Sequence, residues 1–588
     1  MFYPKLAAGR QQTLTTEAFG GYDHNLELAD GEFYDMENLS ADEYPLLAPR
    51  PRRGTAQAIE GVQGILAKDA LCWVQNNTLY INGASMEAYM PSVSISAGEK
   101  QLISMGAYLC IFPDGIYFNT EKYSDNGYMG QENVVDAASS NVEISLCLVD
   151  GTALTVSYKQ ASQPENPTNG QYWLDTSGKL HTLKQWAEAT SQWVSVPTVY
   201  LKLSANGIGK GFQQYDGIRL SGLTGNEQVE KLNGSQILYD VGESYIVIVG
   251  LVDETTKVTS GTVKTARKVP SMDFITESGN RLWGCKYGIV DGRPVNEIYA
   301  SKLGDFRNWN SFAGLSTDSY AASRGSDGAF TGAAACLGGV IFFKEDCMER
   351  VYPSATGAHQ IVTLRCPGVK KGCHGAAAVV DGTLFYLGLG GVYAFDGSMP
   401  GCVSMPLGSV RYQDGAAAGW NGQYWLAARD GDGKRHLLVY DTARGLWHRQ
   451  DDADIMAFTV CDGALYGLAR DGRLLDMTGG SGQQETALRW MAETGELGLS
   501  QPENKYLARL ELRVQPEDRA RLETSASYDG GRSWETLGQV IGGDGQTRGY
   551  LLHLRPRRCR QVRLRLQGTG RCRVFSMSAV YEKGSDGP

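Results

Sequence analysis

The residues able to do chemistry are spread thinly along this chain of 588 residues. Its seven histidines are His24, His181, His359, His374, His436, His448 and His553. None falls in the HExxH spacing that puts two imidazoles on one helix face for a metal. A lone histidine such as His374, in KKGCHGAA, reads as a surface or strand-end residue. The adjacent carboxylates Asp451 and Asp452, in RQDDADIM, read as a solvated turn rather than an acid–base pair. GLGGVYAFDG (388–397) has the glycines of a phosphate loop, but a strand follows it. A phosphate cradle needs the N–H groups of a helix start instead. There is no GxSxG elbow and no P-loop. The twelve cysteines contain no CxxC pair, and most lie in apolar runs such as YLCIF (108–112). They read as buried free thiols of a protein folded in a reducing compartment. The expectation is therefore of no catalytic, cofactor or metal-binding residues.

One short pattern stands apart. SYDGGRSWETLG (527–538) resembles the Asp-box, the turn repeated in the blades of sialidase propellers, through Ser527, Asp529, Gly531, Ser533 and Trp534. The carboxylate accepts backbone N–H bonds across the turn, glycine supplies positive φ, and the tryptophan packs beneath. The device stabilises a hairpin and moves no proton. Here it occurs once. A sialidase site also needs an arginine cluster and a Tyr–Glu nucleophile pair, and arginines are sparse through residues 60–320. A structural turn is the expected role.

The elements that would position any site are short strands. The 73 glycines exceed the usual share of about 7% and punctuate apolar runs singly or in pairs. Helical periodicity is nearly absent. In the second half, GGVIFFKED (338–346), 381–397, 421–450 and 462–479 each open on a glycine turn followed by an aromatic-rich strand. Gly339, Gly382, Gly422 and Gly463 recur at roughly the forty-residue period of a four-stranded propeller blade. Similar starts at 76–86, 114–124 and 279–288 bring the candidates to seven. The predicted class is all-β: a propeller of about seven irregular blades, an inserted β domain and a C-terminal antiparallel sandwich. The expected divisions are an N-terminal extended arm (1–54), first blades (55–139), the insertion (140–265), remaining blades (266–480) and the sandwich with a disordered tail (481–588). Residues 19–54, rich in turns and proline, are expected to complete the last blade as a strand or to reach a neighbouring subunit.

Within the insertion, Tyr172, Trp173, Trp186 and Trp193 either form a small core or offer rings for glycan stacking. The core reading is preferred. In QVRLRLQG, alternation puts Arg563 and Arg565 on one face, a solvated outer sheet face or a docking surface for an acidic partner. The net charge is −10, which does not favour tight wrapping of nucleic acid. MFYPKLAAGR lacks an apolar core of signal-peptide length, and no window reaches the ~18 apolar residues of a membrane span.

Several stretches, taken in order, resemble bacteriophage tail propellers. These are Gly325-Ser326-Asp327-Gly328, Phe330-Thr331-Gly332-Ala333 and Ile341-Phe342-Phe343-Lys344, then Gly372-Cys373-His374, Val379–Tyr386 and Gly391–Gly397. Met36-Glu37-Asn38-Leu39 and Pro45–Arg52 are similar to the opening of phage tail-hub and nozzle proteins, and QPENPTNGQYWLDTS to a module of tail and fibre proteins. The resemblance implies a virion tail component assembled in the bacterial cytoplasm. It implies a ring, expected to be a hexamer, that meets adaptor, portal and tail-fibre proteins and passes duplex DNA without reading its sequence. It also implies no cofactor, no catalysis and no stable membrane insertion. The alternative is a glycan-binding receptor-recognition propeller, or a sialidase-like glycan hydrolase, of a phage tail.

Overall fold

The computed structural model describes residues 11–497, 503–552, 554–555 and 557–583. Seven antiparallel sheets follow one another as blades. Their innermost strands touch in a closed circuit. It runs Val62–Lys68, Gln101–Met105, Phe274–Glu277, Gly332–Cys336, the turn His374–Ala376, Gln413–Trp420, Ile455–Cys461 and back to Val62–Lys68. The chain is a seven-bladed β-propeller. A lone blade would leave both sheet faces wet, and closure buries them against neighbours. Trp73, Trp283 and Trp447 are fully buried as a result.

Turn chemistry sets the repeat. The first hairpin of the last three blades turns on Asp381–Gly382, Asn421–Gly422 and Asp462–Gly463, and every one of these residues has positive φ. That is the two-residue turn whose twist matches the flanking strands. In the fourth blade the pair is Leu337–Gly338, so the spacing glycine Gly339 begins the next strand instead.

The last blade is completed from the other end of the chain. Gly54–Ala58 pairs antiparallel with Arg473–Asp476, and Gln483–Gln484 pairs with that same strand. Residues upstream do not form an extended arm. Gln11–Thr16 pairs with Cys572–Lys583 at the edge of one sandwich sheet, and Phe33–Glu37 pairs with Arg489–Thr494 at the edge of the other. The sandwich is thus two five-stranded sheets, each lacking one strand in the C-terminal sequence alone. Of the tail expected to be disordered, Glu582 and Lys583 end the strand Cys572–Lys583, and residues 584–588 lie outside the described residues.

Residues 38–53 strap the sandwich to the propeller. Two buried arginines hold the strap. Arg53 Nη1 lies 2.6 Å from Asp451, and Arg50 bonds Glu485 at 2.8 Å and Asn38 at 2.8 Å. Asp451 is therefore no solvated turn residue. Burial opposes its charge, but the two guanidinium groups hold its carboxyl below the usual range.

The insertion spans Gln131–Asp136 to Thr262–Arg267, slightly wider than the sequence divisions. It packs two sheets over a core that includes Ile144, Leu203, Ile218 and Ile246. The aromatic module is a further insertion inside it, a four-stranded sheet from Tyr158–Gln160 to Gln192–Ser195. The neck is closed by a buried network. Asp216 accepts from Arg267 Nη1 at 2.6 Å and from Asn308 Nδ2 at 2.9 Å, tying insertion to third blade.

Candidate functional site

The closed circuit of inner strands leaves a pocket of about 500 Å³ on the propeller axis. Its floor is apolar: Ile65 from the first blade, Ala416 and Ala417 from the sixth, Met456 and Phe458 from the seventh. Two polar groups converge on it, His374 and Glu99. Their Nε2 and Oε1 atoms are 3.6 Å apart. A few polar groups over an apolar floor of this volume is the usual make-up of a ligand site.

Both groups are held by buried machinery. Glu99 sits on the loop before Gln101–Met105. Lys100, fully buried, ties that loop to Asp114 at 2.8 Å and to Ser96 Oγ at 2.8 Å. Gln63 Nε2 donates to the carbonyls of Ser96 and Gly98. Gly64 lets the first blade approach, since a Cβ there would meet the Lys100 carbonyl at 2.5 Å. His374 opens the short turn His374–Ala376, whose Ala376 carbonyl accepts from the buried Tyr424 hydroxyl at 2.7 Å. The His374 ring also packs on Phe274, with centroids 5.3 Å apart. The neighbouring His374 imidazole holds the Glu99 carboxyl below its ordinary range against some desolvation. A carboxylate and an imidazole at this spacing can hydrogen-bond neighbouring hydroxyls or exchange a proton with them. The pocket lining supplies one carboxylate, whereas most glycoside hydrolases flank the scissile bond with two.

The sequence pointed away from this site. The sequence reads His374 as a surface or strand-end residue; it is part-exposed, but it lines the axial pocket. Glu99 had no signal at all, because its partner lies 275 positions away in the chain. Lys344, in the IFFK stretch, is likewise missed by pattern. It is buried, donates to Ser326 O at 2.8 Å and lies over the Phe330 ring at 4.6 Å, pinning the GSDG turn to its blade. Burial pulls its pKa down.

The Asp-box geometry is complete. Asp529 Oδ1 accepts from Ser533 N at 2.9 Å and from Ser527 Oγ at 2.8 Å, and Gly531 N donates to Ser527 Oγ. Hydrogen bonds from Ser533 above all keep the Asp529 carboxyl strongly acidic. Trp534 donates to the Gly531 carbonyl and carries Arg565 over its ring at 3.7 Å. The turn lies on the sandwich, away from the axial pocket. Arg563 and Arg565 both pair with Glu493, so these two arginines are neutralised locally rather than simply solvated.

In the aromatic module Trp193 is the hub, edge-on to Tyr158, Trp173 and Trp186. Trp173 is buried and donates to the Gln160 carbonyl, with Lys184 over its ring. Tyr172 and Trp186 are half-buried. The rings face one another more than they face solvent. Eleven of the twelve cysteines are buried, all are free, and Cys402 is exposed. Among the described residues no group of His, Cys, Asp and Glu could hold a metal, and no helix is long and apolar enough to cross a membrane.

No family model matches the chain, and no curated protein matches it. Solved structures do. The WD40 repeats of RRP9 are similar over 75% of this chain and 98% of theirs, at 7% identity and a TM-score of 0.27. An exo-beta-1,3-galactanase from Phanerochaete chrysosporium matches over 52% of this chain and 94% of its own, at 11% identity and a TM-score of 0.20. A glycoside hydrolase family 43 arabinoxylan arabinofuranohydrolase from Bacillus subtilis matches over 53% and 95%, at 9% identity and a TM-score of 0.18. The shared class is the β-propeller. At these scores the likeness assigns no activity to this chain. It does overturn the expectation that the chain is no enzyme: glycoside hydrolases stand among the propellers it is similar to, and the lack of a recognisable catalytic pattern does not exclude one.

Proposed function

We propose that this chain is a glycan-recognition propeller, with the axial pocket as its saccharide site. The observation that carries the reading is the apolar floor of Ile65, Met456 and Phe458 beneath the Glu99–His374 pair. A sugar presents an apolar C–H face and a rim of hydroxyls, and this pocket offers a partner for each. Screening the protein on a glycan array identifies the ligand. His374→Ala is then expected to weaken binding about tenfold, the worth of roughly 1.4 kcal/mol. Glu99→Gln separates binding from turnover. It keeps affinity within a few-fold, and if the bound glycan is cleaved it abolishes cleavage, because an amide cannot exchange a proton. Binding unchanged in His374→Ala would sink the axial assignment.

A second reading, a ring-forming tail nozzle, is favoured by a different observation. The stretches that resemble tail propellers fall in the fourth and fifth blades, the aromatic module and residues 36–39 and 45–52, where Arg50 bonds Glu485 and Asp451 and helps fasten the strap. A sandwich that joins Gln11–Thr16 to Cys572–Lys583 suits a subunit under mechanical load. Cyclic rings join subunits through two different patches, and the insertion and sandwich supply surfaces outside the closed propeller. Negative-stain images of the pure protein, alone and beside its cognate adaptor complex, test this. Rings with a central channel support it, and monomers in both samples refute it.

A further inference from the structure

The sandwich sheet Phe33–Glu37, Arg489–Thr494, Arg563–Thr569, Arg521–Ser527 and Glu535–Ile541 has an outer face that the axial reading does not use. Residues opposite one another across a ladder share a face. The register therefore sets two neighbouring rows on that face. One is Glu37, Met491, Gln567, Glu523 and Gln539; the other is Arg489, Thr569, Arg521 and Ile541. Between them Trp490, Leu522 and Val540 point inward and are buried. The rows line a groove of about 510 Å³.

The charges in this groove are unevenly satisfied. Several sandwich arginines have counter-ions: Arg563 and Arg565 pair with Glu493, and Arg571 and Arg573 with Glu43. Arg489 and Arg521 have no ion pair or side-chain hydrogen bond among the described residues. Both are opposite Thr569, one on each side, so their Cα atoms are about 10 Å apart, two strand spacings. Two free guanidinium groups flanking a hydroxyl make a clamp for a carboxylate or sulfate.

The adjacent row decides what carries that anion. Glu37, Gln567, Glu523 and Gln539 supply carboxylates and amides on either side of Met491, the acceptors and donors that hydroxyls need, and Gln539 already donates to Glu523 at 2.6 Å. Two carboxylates there would repel a polyanion with a charge on every unit, such as nucleic acid or an acidic peptide. A sugar chain with one acidic group beside several hydroxyls satisfies both rows. The row spans about 19 Å, room for an oligosaccharide rather than one sugar. We infer that this groove is a second saccharide site, specific for an acidic oligosaccharide. It stands independently of the axial pocket.

The test is calorimetric titration of the full-length protein with an aldouronic acid, a xylo-oligosaccharide that carries one uronic acid, with the neutral xylo-oligosaccharide of the same length and with oligogalacturonate, which carries a carboxylate on every unit. The aldouronic acid is expected to bind, more weakly as salt rises. The double variant Arg489→Ala/Arg521→Ala should lose at least tenfold in affinity, and His374→Ala should lose none. Both arginines are exposed, so the double variant should melt like the wild type. Three results would each overturn the inference: no binding of the aldouronic acid, equal binding of either control ligand, or full affinity in the double variant. Loss of aldouronic acid binding in His374→Ala would also overturn it, by moving the site to the axis.

Discussion

Asp451→Ala should destabilise the protein by about 3–5 kcal/mol, the usual effect of stripping a buried charge of its partner. Arg53 would be left inside the strap with only the Gln450 side-chain oxygen, 2.6 Å from its Nη2. Burial already disfavours the charge on Arg53, and Asp451 is the main force that opposes this. Arg50 would keep Glu485. The loss is thus concentrated where Gly54–Ala58 enters the last blade. Urea unfolding should show a lower midpoint, and limited proteolysis should cut residues 38–53 first. Asp451→Asn, which keeps hydrogen-bond acceptors, should cost less. A variant that melts with the wild type and resists protease equally would show that the strap does not fasten the blade.

Acid should loosen the same junction. His448 is fully enclosed among the strap, the sixth blade and the seventh, in a small cavity of about 70 Å³ that also meets Asp42, Asp441, Arg50 and Trp425. Burial pulls its pKa from 6.5 down to about 4, against the pull of Asp441 and Asp42 and with a minor push from Arg444. The folded-state value lies below the unfolded one, so the native state prefers the neutral ring. Its contribution is whole above pH 6.5 and is lost as pH falls toward 4. Linkage puts the loss at about 2 kcal/mol by pH 5 and about 3 kcal/mol at pH 4. Stability measured from pH 7 to pH 4.5 should fall steeply in the wild type and less so in His448→Gln. Parallel curves for the two proteins would assign the acid sensitivity to other groups.

The carboxylate pair Asp451–Asp452 shows what a sequence hides. Adjacent acids beside alanine look solvated. Only the fold brings Arg50 and Arg53, some 400 positions earlier, onto one of them. A separation of 275 positions divides Glu99 from His374. Neither pair leaves a local signature, because its spacing is set by how blades close and not by helix or strand period.

What the sequence determined by itself is the local grammar. Glycine after asparagine or aspartate forces the two-residue turns of the last three blades, and alternation fixes which side chains face inward. The Asp-box turn is equally local, since its bonds join residues within four positions of Asp529. What only the tertiary structure decided is which distant ends meet. Strands Gln11–Thr16 and Phe33–Glu37 carry no mark of their partners, yet they complete two sheets whose other strands lie beyond residue 488. Backbone pairing is indifferent to sequence distance. An open sheet edge accepts whichever strand the closed propeller delivers beside it, and the axial pocket exists only once that circuit is closed.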